Sequence, residues 1–420
     1  MEGVLPVLMM SKTEKIYHSF GAAEDSISKA YPIRDIFQSF FEDYAESHSV
    51  SNEQQKAAHC ISECKTGSLG YNLSYCESCG HIEIHASSCN NRNCPNCQAP
   101  QEQKWIMARN SELIEGCAYY HCIFTLPFEL NDLIYENQKL LYNLMFSCVS
   151  DTLLTLCRDK KHMGATPGII MVLHTWGQKL NFHPHIHCAL SGGGLTESGQ
   201  FTESCHKGFL LPVEAMGKLF RGKFMAALKT YYDKKLLSFG GRCRKLHNRY
   251  NWKEFMDSLY AKDWLPFIRE TFNGNGNAIK YLARYAYRTA ISNSRISSLT
   301  DKEVSFRYKD YADNSATKIM TLEGTKFIEL FLQHILPKGF SRVRFSGYLS
   351  NCCKTKKLKL IHKLRGTPFI PNPVKGKSMA ELLLLIYNRD ICVCGICHGR
   401  VFHYPRGKPF ALPEISCSLT

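Results

Sequence analysis

The chain has 420 residues, 44% of them hydrophobic, and its 52 Lys and Arg against 37 Asp and Glu leave a net charge of +15. That length provides for two to four domains around one substantial core, and the cationic excess calls for a polyanionic partner, either nucleic acid or an acidic membrane surface. No apolar run approaches bilayer-spanning length, the longest being ELLLLIY at 381–387, which reads as a buried helix segment. The opening MEGVLPVLMMSKTEK lacks the basic leader and cleavage pattern of a signal peptide, so the chain is expected to stay in the cytoplasm with no membrane partner.

Residues 1–55 form a helical leader in which IRDIFQSFFEDYAE, apolar at 36, 37, 40 and 41, predicts an amphipathic docking helix. Residues 56–110 concentrate cysteine. Cys76-Glu-Ser-Cys79 and Cys94-Pro-Asn-Cys97 are two CxxC hooks 14 residues apart, and two such hooks can close a tetrahedral thiolate shell around one structural Zn²⁺. Cys60, Cys64 and Cys89, with His59, His81 or His85 nearby, offer ligands for a second ion. So small a segment lacks the apolar residues for a core of its own, so metal is expected to supply its folding energy. A redox CxxC is the competing reading, and the pairing of hooks weighs against it.

Residues 111–350 read as the main domain, α+β with a central antiparallel sheet and packed helices. YYHCIFTLP opens it as a strand, and NDLIYENQKLLYNLMFSCVSDTLLTLCRD follows as a long helix packed on the sheet. Residues 169–194, IIMVLHTWGQKLNFHPHIHCALSGGG, then read as an antiparallel strand pair with a short polar link, one sheet face being left exposed as a substrate platform. His183, His185 and His187 alternate, so period two puts all three on one face, where imidazoles can converge on a divalent ion, Mg²⁺ or Mn²⁺. Glycines 192–194 end the strand and leave room for a bulky partner. A further ligand comes best from His174, because pairing 174 with 187 would put it on the same face, although a one-residue slip would reverse that. His121, Gln178 and His183 are its rivals. A helical, basic insertion occupies about 205–275. Beyond it, Tyr281 and Tyr285 stand one helical turn apart on the same side, with Lys280, Arg284 and Arg288 as a cationic ridge and Asn293 and Arg295 in the following loop. Cations to hold a phosphate beside an oxygen nucleophile are what phosphodiester chemistry needs. Residues 351–420 are a basic C-terminal region. It holds CCKTKKLKLIHKLRG, read as flexible or laid on a phosphate backbone, and ends in Cys392, Cys394 and Cys397 which, with His398 or His403, offer a small zinc knuckle.

In their order and wording, CKTGSLGYNLSYCESCG, SCNNRNCPNCQ, YYHCIFTLP, LHTWGQKLNFHPHIHCALSGGG and YLARYAYRTAISNSR resemble the rolling-circle insertion-sequence transposases. Within that group the likeness is to the paired-tyrosine family with a histidine-hydrophobic-histidine nuclease domain and an N-terminal zinc-binding domain. The resemblance spans roughly residues 55–350. It implies His185 and His187 as ligands of the nuclease ion and Tyr281 and Tyr285 as nucleophiles; Asn93 departs from the histidine usual before the second hook. It further implies cleavage and rejoining of single-stranded DNA, or of hairpin transposon ends, through a 5′-phosphotyrosine. A zinc-dependent DNA-binding regulator without catalysis would account for the charge and cysteines but not for HPHIH beside YLARY. A zinc hydrolase is disfavoured because no general-base carboxylate stands near the histidines.

Overall fold

In the computed structural model the described residues are 31–204, 210–270 and 275–404, without the side chains of 275–278, 281 and 284. Residues 1–30, which include the opening MEGVLPVLMMSKTEK and the first part of the leader, and the tail after 404 lie outside them.

The described chain opens with α1 (Ile33–Ser47) and α2 (Asn52–Ser62). α1 is the expected docking helix, burying Ile33, Ile36, Phe37, Phe40, Phe41 and Tyr44. α2 starts at a reciprocal cap: the Ser51 hydroxyl accepts from the Gln54 backbone N–H while the Gln54 side chain accepts from that of Ser51, satisfying two donors that helix geometry leaves unpaired. A hairpin of β1 (Tyr71–Cys76) and β2 (Ile82–Ala86) leads through α3 (Ala99–Asn110) into the main sheet.

That sheet draws on β3 (Tyr119–Thr125), β4 (Thr166–Trp176), β5 (Phe182–Leu195), β6 (Phe201–Glu203), β7 (Phe267–Glu270) and β11 (Val343–Gly347). The order is β11-β4-β5-β3-β7, with β6 added on β5 and every pairing antiparallel. Period two gives it two chemically different faces. Ile169, Met171, Leu173, Ile186, Cys188 and Leu190 join the largest core, beneath α5 (Gln138–Arg158) with the short α4 (Asn131–Glu136) before it. α5 is long and apolar enough to cross a membrane by composition, but Leu141, Met145, Val149 and Leu153 are buried against the sheet, which makes it a core helix. The expected insertion contains α6 (Val213–Asp233) and α7 (Arg249–Tyr260), and it is no separate lobe. α6 packs along α5 and sends Met216, Phe220 and Phe224 into the same core, while Trp252 of α7 stacks on Tyr232 at 4.2 Å.

The opposite face carries Ile170, Val172 and Ala189 and is covered by α8 (Asn275–Ala286), whose Ile279, Leu282, Ala283 and Ala286 are buried there with Trp105 of α3. The anticipated open platform is therefore roofed, because the apolar stripe of the tyrosine helix needs that surface. The room foreseen at the glycine triplet is also taken. β5 runs on to Leu195, and a Cβ at Gly192, Gly193 or Gly194 would meet Ala118, Phe201 or the Thr166 carbonyl.

A second core joins α1 and α2 to a three-stranded antiparallel sheet of β8 (Ile296–Leu299), β9 (Glu303–Asp310) and β10 (Ala316–Glu323) and to α9 (Gly324–Leu332), with Phe37 edge-on to Phe331 at 5.1 Å. The basic run after Cys353 is helical. It forms α10 (Lys354–Arg365), which buries Leu358 and Ile361 against the α8 side and turns Lys356, Lys359 and Lys363 to solvent. α11 (Met379–Tyr387) departs from its expected burial: only Leu382 is enclosed, and Leu384 and Leu385 are exposed. The last strand, β12 (Val401–Tyr404), pairs with β1 and completes a three-stranded ribbon with β2.

Between the two cores His334 is fully enclosed, its Nε2–H donating to the Leu180 carbonyl (3.1 Å) and its Nδ1 facing the Thr175 hydroxyl (3.2 Å). Burial pushes its pKa down from 6.5 to about 3. A histidine held neutral in the fold contributes stability that is intact above pH 6.5 and is lost as pH falls toward 3, because only the unfolded chain takes up the proton. His334→Gln, which keeps a donor for Leu180, is expected to lower the slope of stability against pH by about 1.4 kcal/mol per pH unit between pH 6 and 4. Urea unfolding at a series of pH values reads that slope, and an unchanged slope would contradict the assignment.

Candidate metal centre and tyrosine helix

β4 and β5 pair as His174↔His185 and Val172↔His187. This register lies two residues from the expected 174-with-187 pairing, and a shift of two, unlike a shift of one, leaves every side chain on its own face. A bulge between His174 and Trp176 shifts the pairing by one further residue toward the turn, beyond the three histidines. His174, His185 and His187 therefore converge, one ring nitrogen from each lying within 4.8 Å of the others. The His187 ring is 4.9 Å from that of His174 and 4.8 Å from that of His185. His183, although on the same strand face, stands outside the cluster.

Each of the three rings has a fixed orientation. The His185 Nδ1–H donates to the His183 carbonyl (2.7 Å), leaving a lone pair on Nε2. The His174 Nε2–H donates to the backbone carbonyl of Tyr285 (2.7 Å), in the last turn of α8, which leaves the lone pair on Nδ1. His187 Nδ1 lies 3.0 Å from His121 Nε2, and its Nε2 is buried with no hydrogen-bond partner. A buried ring nitrogen with nothing to bind is costly unless a ligand takes it. With His187 donating from Nδ1 to His121, its Nε2 offers a third lone pair beside those of His185 and His174, a donor set suited to a divalent ion on rings held by outer hydrogen bonds. Burial pushes the His185 pKa down to about 4 and keeps His174 and His187 well below their ordinary value, so all three are neutral near pH 7, the form that binds metal.

Tyr285 comes down from α8 onto this cluster, its ring stacked on His187 at 3.8 Å between centroids and 5.1 Å from His174. Tyr281 lies one turn earlier on α8, but its side chain, like that of Arg284, is outside the described set. Lys280 and Arg288 are exposed. Asn293 and Arg295, expected to contact DNA, are instead engaged within the protein. Asn293 accepts from the Ile33 backbone N–H and donates to Asn96, while the Arg295 guanidinium donates to the carbonyls of Arg307 and Gln178. Gln178 is itself tied to Tyr311 and Lys309 and is not part of the histidine cluster.

The cysteines divide differently from the expected tetrad of Cys76, Cys79, Cys94 and Cys97. The second hook, Cys94 and Cys97, gathers with Cys64 and Cys89, while the first hook, Cys76 and Cys79, gathers with Cys394 and Cys397 of the C-terminal region. In the former cluster the Cys97 sulfur lies 3.5 Å from Cys64 and 3.7 Å from Cys89. Four thiols complete that group with no contribution from position 93, where Asn93 bonds to Asn91 instead. Hydrogen bonds from Cys89 and Cys94 hold the Cys97 thiol far below its ordinary pKa. Cys60 is in neither group. The terminal knuckle expected from Cys392, Cys394 and Cys397 with His398 or His403 is thus replaced: Cys392 and both histidines stand outside the group, and the signal left unread is that Cys394-Gly-Ile-Cys397 is a third CxxC hook of the same form as the other two.

Comparison with known proteins fixes the class first. Residues 36–126 match a family described as "Transposase zinc-binding domain", and residues 168–357 match one described as "Putative transposase". Among curated proteins the chain is 36% identical over 370 residues, 87% of its length and 92% of the relative's, to "Putative transposase y4qJ" of Sinorhizobium fredii (strain NBRC 101917 / NGR234). It is 29% identical over 349 residues, 81% of its length and 80% of the relative's, to "Transposase for insertion sequence element IS801" of Pseudomonas savastanoi pv. phaseolicola. The chain belongs to the IS91/IS801 family of rolling-circle transposases. DNA is thus its partner, and zinc has a structural place in its N-terminal domain. No solved structure matches the chain.

Proposed function

We propose that the chain cleaves and rejoins single-stranded DNA, or hairpin transposon ends, through a 5′-phosphotyrosine formed on Tyr285 and Tyr281, with a divalent ion held by His185 and His187 at Nε2 and His174 at Nδ1. The observation that carries this reading is the unpartnered, buried His187 Nε2 beneath the stacked ring of Tyr285. Bound there, the ion would polarise the scissile phosphate and ease charge build-up on its oxygens. The protein's own part is positional. α8 sets a phenol over the cluster and His121 orients His187. The exposed Lys280 and Arg288 flank the path of the backbone. In the transfer the phenolic oxygen bonds to phosphorus as the bond to the 3′ oxygen breaks; the phenol gives up its proton and the released 3′ oxygen takes one. One ester replaces another, so the joining step, a 3′-hydroxyl attacking the phosphotyrosine, needs no nucleotide hydrolysis. Two tyrosines allow two ends to be held or exchanged. An extended or unpaired strand suits a nucleophile carried on a helix, and the net charge of +15 favours such a polyanion.

Three imidazoles, with no carboxylate joining them among the described residues, rank Mn²⁺ above Mg²⁺, which prefers oxygen donors. Labelled single-stranded DNA incubated with the full-length chain and Mn²⁺ is expected to give a protein-linked product on a denaturing gel. Mn²⁺ affinity by calorimetry should fall by roughly 100-fold or more for His185→Ala and for His174→Ala, and by about 10- to 100-fold for His121→Ala, which acts through His187. If His174→Ala keeps parent affinity while His185→Ala loses it, His174 is not a ligand. A parent that binds DNA but forms no linked product in any divalent ion would instead support a non-catalytic regulator.

A further inference from the structure

The first CxxC hook and the C-terminal one are copies of a single backbone turn. In each, the N–H four residues after the first cysteine donates back to that cysteine's carbonyl, Gly80 to Cys76 and His398 to Cys394, both at 3.0 Å. In each, the first cysteine's own N–H reaches the carbonyl five residues on, Cys76 to His81 and Cys394 to Gly399, both at 2.8 Å. The fifth residue of each turn is left-handed, Gly80 at φ 71° and His398 at φ 59°. Two N–H groups of the C-terminal turn point at its sulfurs, Ile396 at Cys394 (3.5 Å) and Gly399 at Cys397 (3.4 Å).

The two turns also face each other. Cys76 and Cys397 sulfurs are 3.4 Å apart and those of Cys79 and Cys394 3.8 Å. Sulfurs sharing a tetrahedral zinc with bonds of about 2.3 Å lie roughly 3.8 Å apart, whereas a disulfide needs about 2.05 Å. The approach is close enough that a Cβ on Gly399 would collide with the side chain of Ser78, and the Glu77 N–H crosses to the Arg400 carbonyl at 3.1 Å. β12 then continues from the second turn as the third strand beside β1.

We propose that Cys76, Cys79, Cys394 and Cys397 bind a zinc ion of their own, distinct from the one at Cys64, Cys89, Cys94 and Cys97, and that this ion clasps the C-terminal segment to the N-terminal ribbon. Two of its ligands lie far outside residues 36–126, which match the zinc-binding domain. All four sulfurs bind as thiolates, releasing their protons to solvent, and nothing is oxidised or reduced.

The test counts zinc in the full-length chain carrying His185→Ala and His187→Ala, so that the histidine cluster adds nothing to the total. Two zinc ions per chain are expected. Cys394→Ser with Cys397→Ser should bring the count to one, and Cys397→His, which keeps a ligand, should leave it at two. Independently of any cysteine variant, alkylation with peptide mapping should find Cys76, Cys79, Cys394 and Cys397 protected together in the zinc-loaded chain and labelled together once a strong chelator is added. One zinc per chain, labelling of Cys394 and Cys397 while Cys76 and Cys79 stay protected, or a loss of 2 Da for each bridged pair would overturn the proposal.

Discussion

The full-length chain with Tyr281→Phe and Tyr285→Phe is expected to bind single-stranded DNA and Mn²⁺ as the parent does and to form at least roughly 1000-fold less protein-linked DNA, because without a phenolic oxygen no bond to phosphorus can form. Phenylalanine keeps the aromatic face that stacks on His187 at 3.8 Å and leaves untouched the Tyr285 backbone carbonyl that accepts from His174. Loss of linkage with metal affinity preserved would therefore point to the hydroxyls themselves. Each single variant divides the work further: if the tyrosines hold separate ends, Tyr285→Phe alone should still link one DNA strand through Tyr281 but fail to complete strand transfer. Undiminished linkage in the double variant, on a denaturing gel with labelled DNA, would remove both residues from the chemistry.

Cys94→Ser with Cys97→Ser is expected to abolish folding of the N-terminal half. These two sulfurs are buried in the same core as Ile33, Ile36, Phe37, Phe327 and Phe331, so the metal they would hold with Cys64 and Cys89 sits inside packed structure. A structural zinc in a cysteine shell contributes on the order of 10 kcal/mol or more to folding, against a typical domain stability of about 5–15 kcal/mol. Serine leaves the polar groups in place without their ligand. The expected signs are loss of soluble protein, or rapid proteolysis within residues 31–110 of whatever remains soluble. Cys60→Ser, outside both clusters, serves as the control and should stay close to parent. A doubly substituted chain with parent urea midpoint and no bound zinc would refute a structural role for this cluster.

The histidine centre was legible in the sequence because it depends on alternation, and alternation survives error. The expected pairing missed the true register by two residues, yet His174 still reached His185 and His187 because a shift of two keeps the face. The covering of that face by α8 was not legible, since the stripe of Ile279, Leu282, Ala283 and Ala286 announces that the helix is buried without saying against what. The cysteines failed for a related reason. Three CxxC hooks look alike, and neighbours in sequence are the natural guess for partners, whereas the structure joins Cys79 to Cys394 across 315 positions. Asn293 and Arg295 were assigned to DNA by charge and proximity, and only the fold reveals that Asn293 secures the start of α1 and Arg295 secures β9. In α11 a run of leucines suggested burial, but so short a helix meets the protein along little more than Leu382.

The ribbon strand β12 carries a consequence for the order in which the molecule assembles. The β1–β2 hairpin closes over a few residues and can form as soon as it is made, whereas its third strand arrives only after more than 300 further residues have been synthesised. In an unfolded chain, bringing such distant segments together costs roughly 5 kcal/mol of loop entropy, so the main sheet must fold first and carry the C-terminal turn into place. Until then β1 presents an unpaired edge with Tyr71 and Ile84 exposed nearby, a template for any strand of matching pattern.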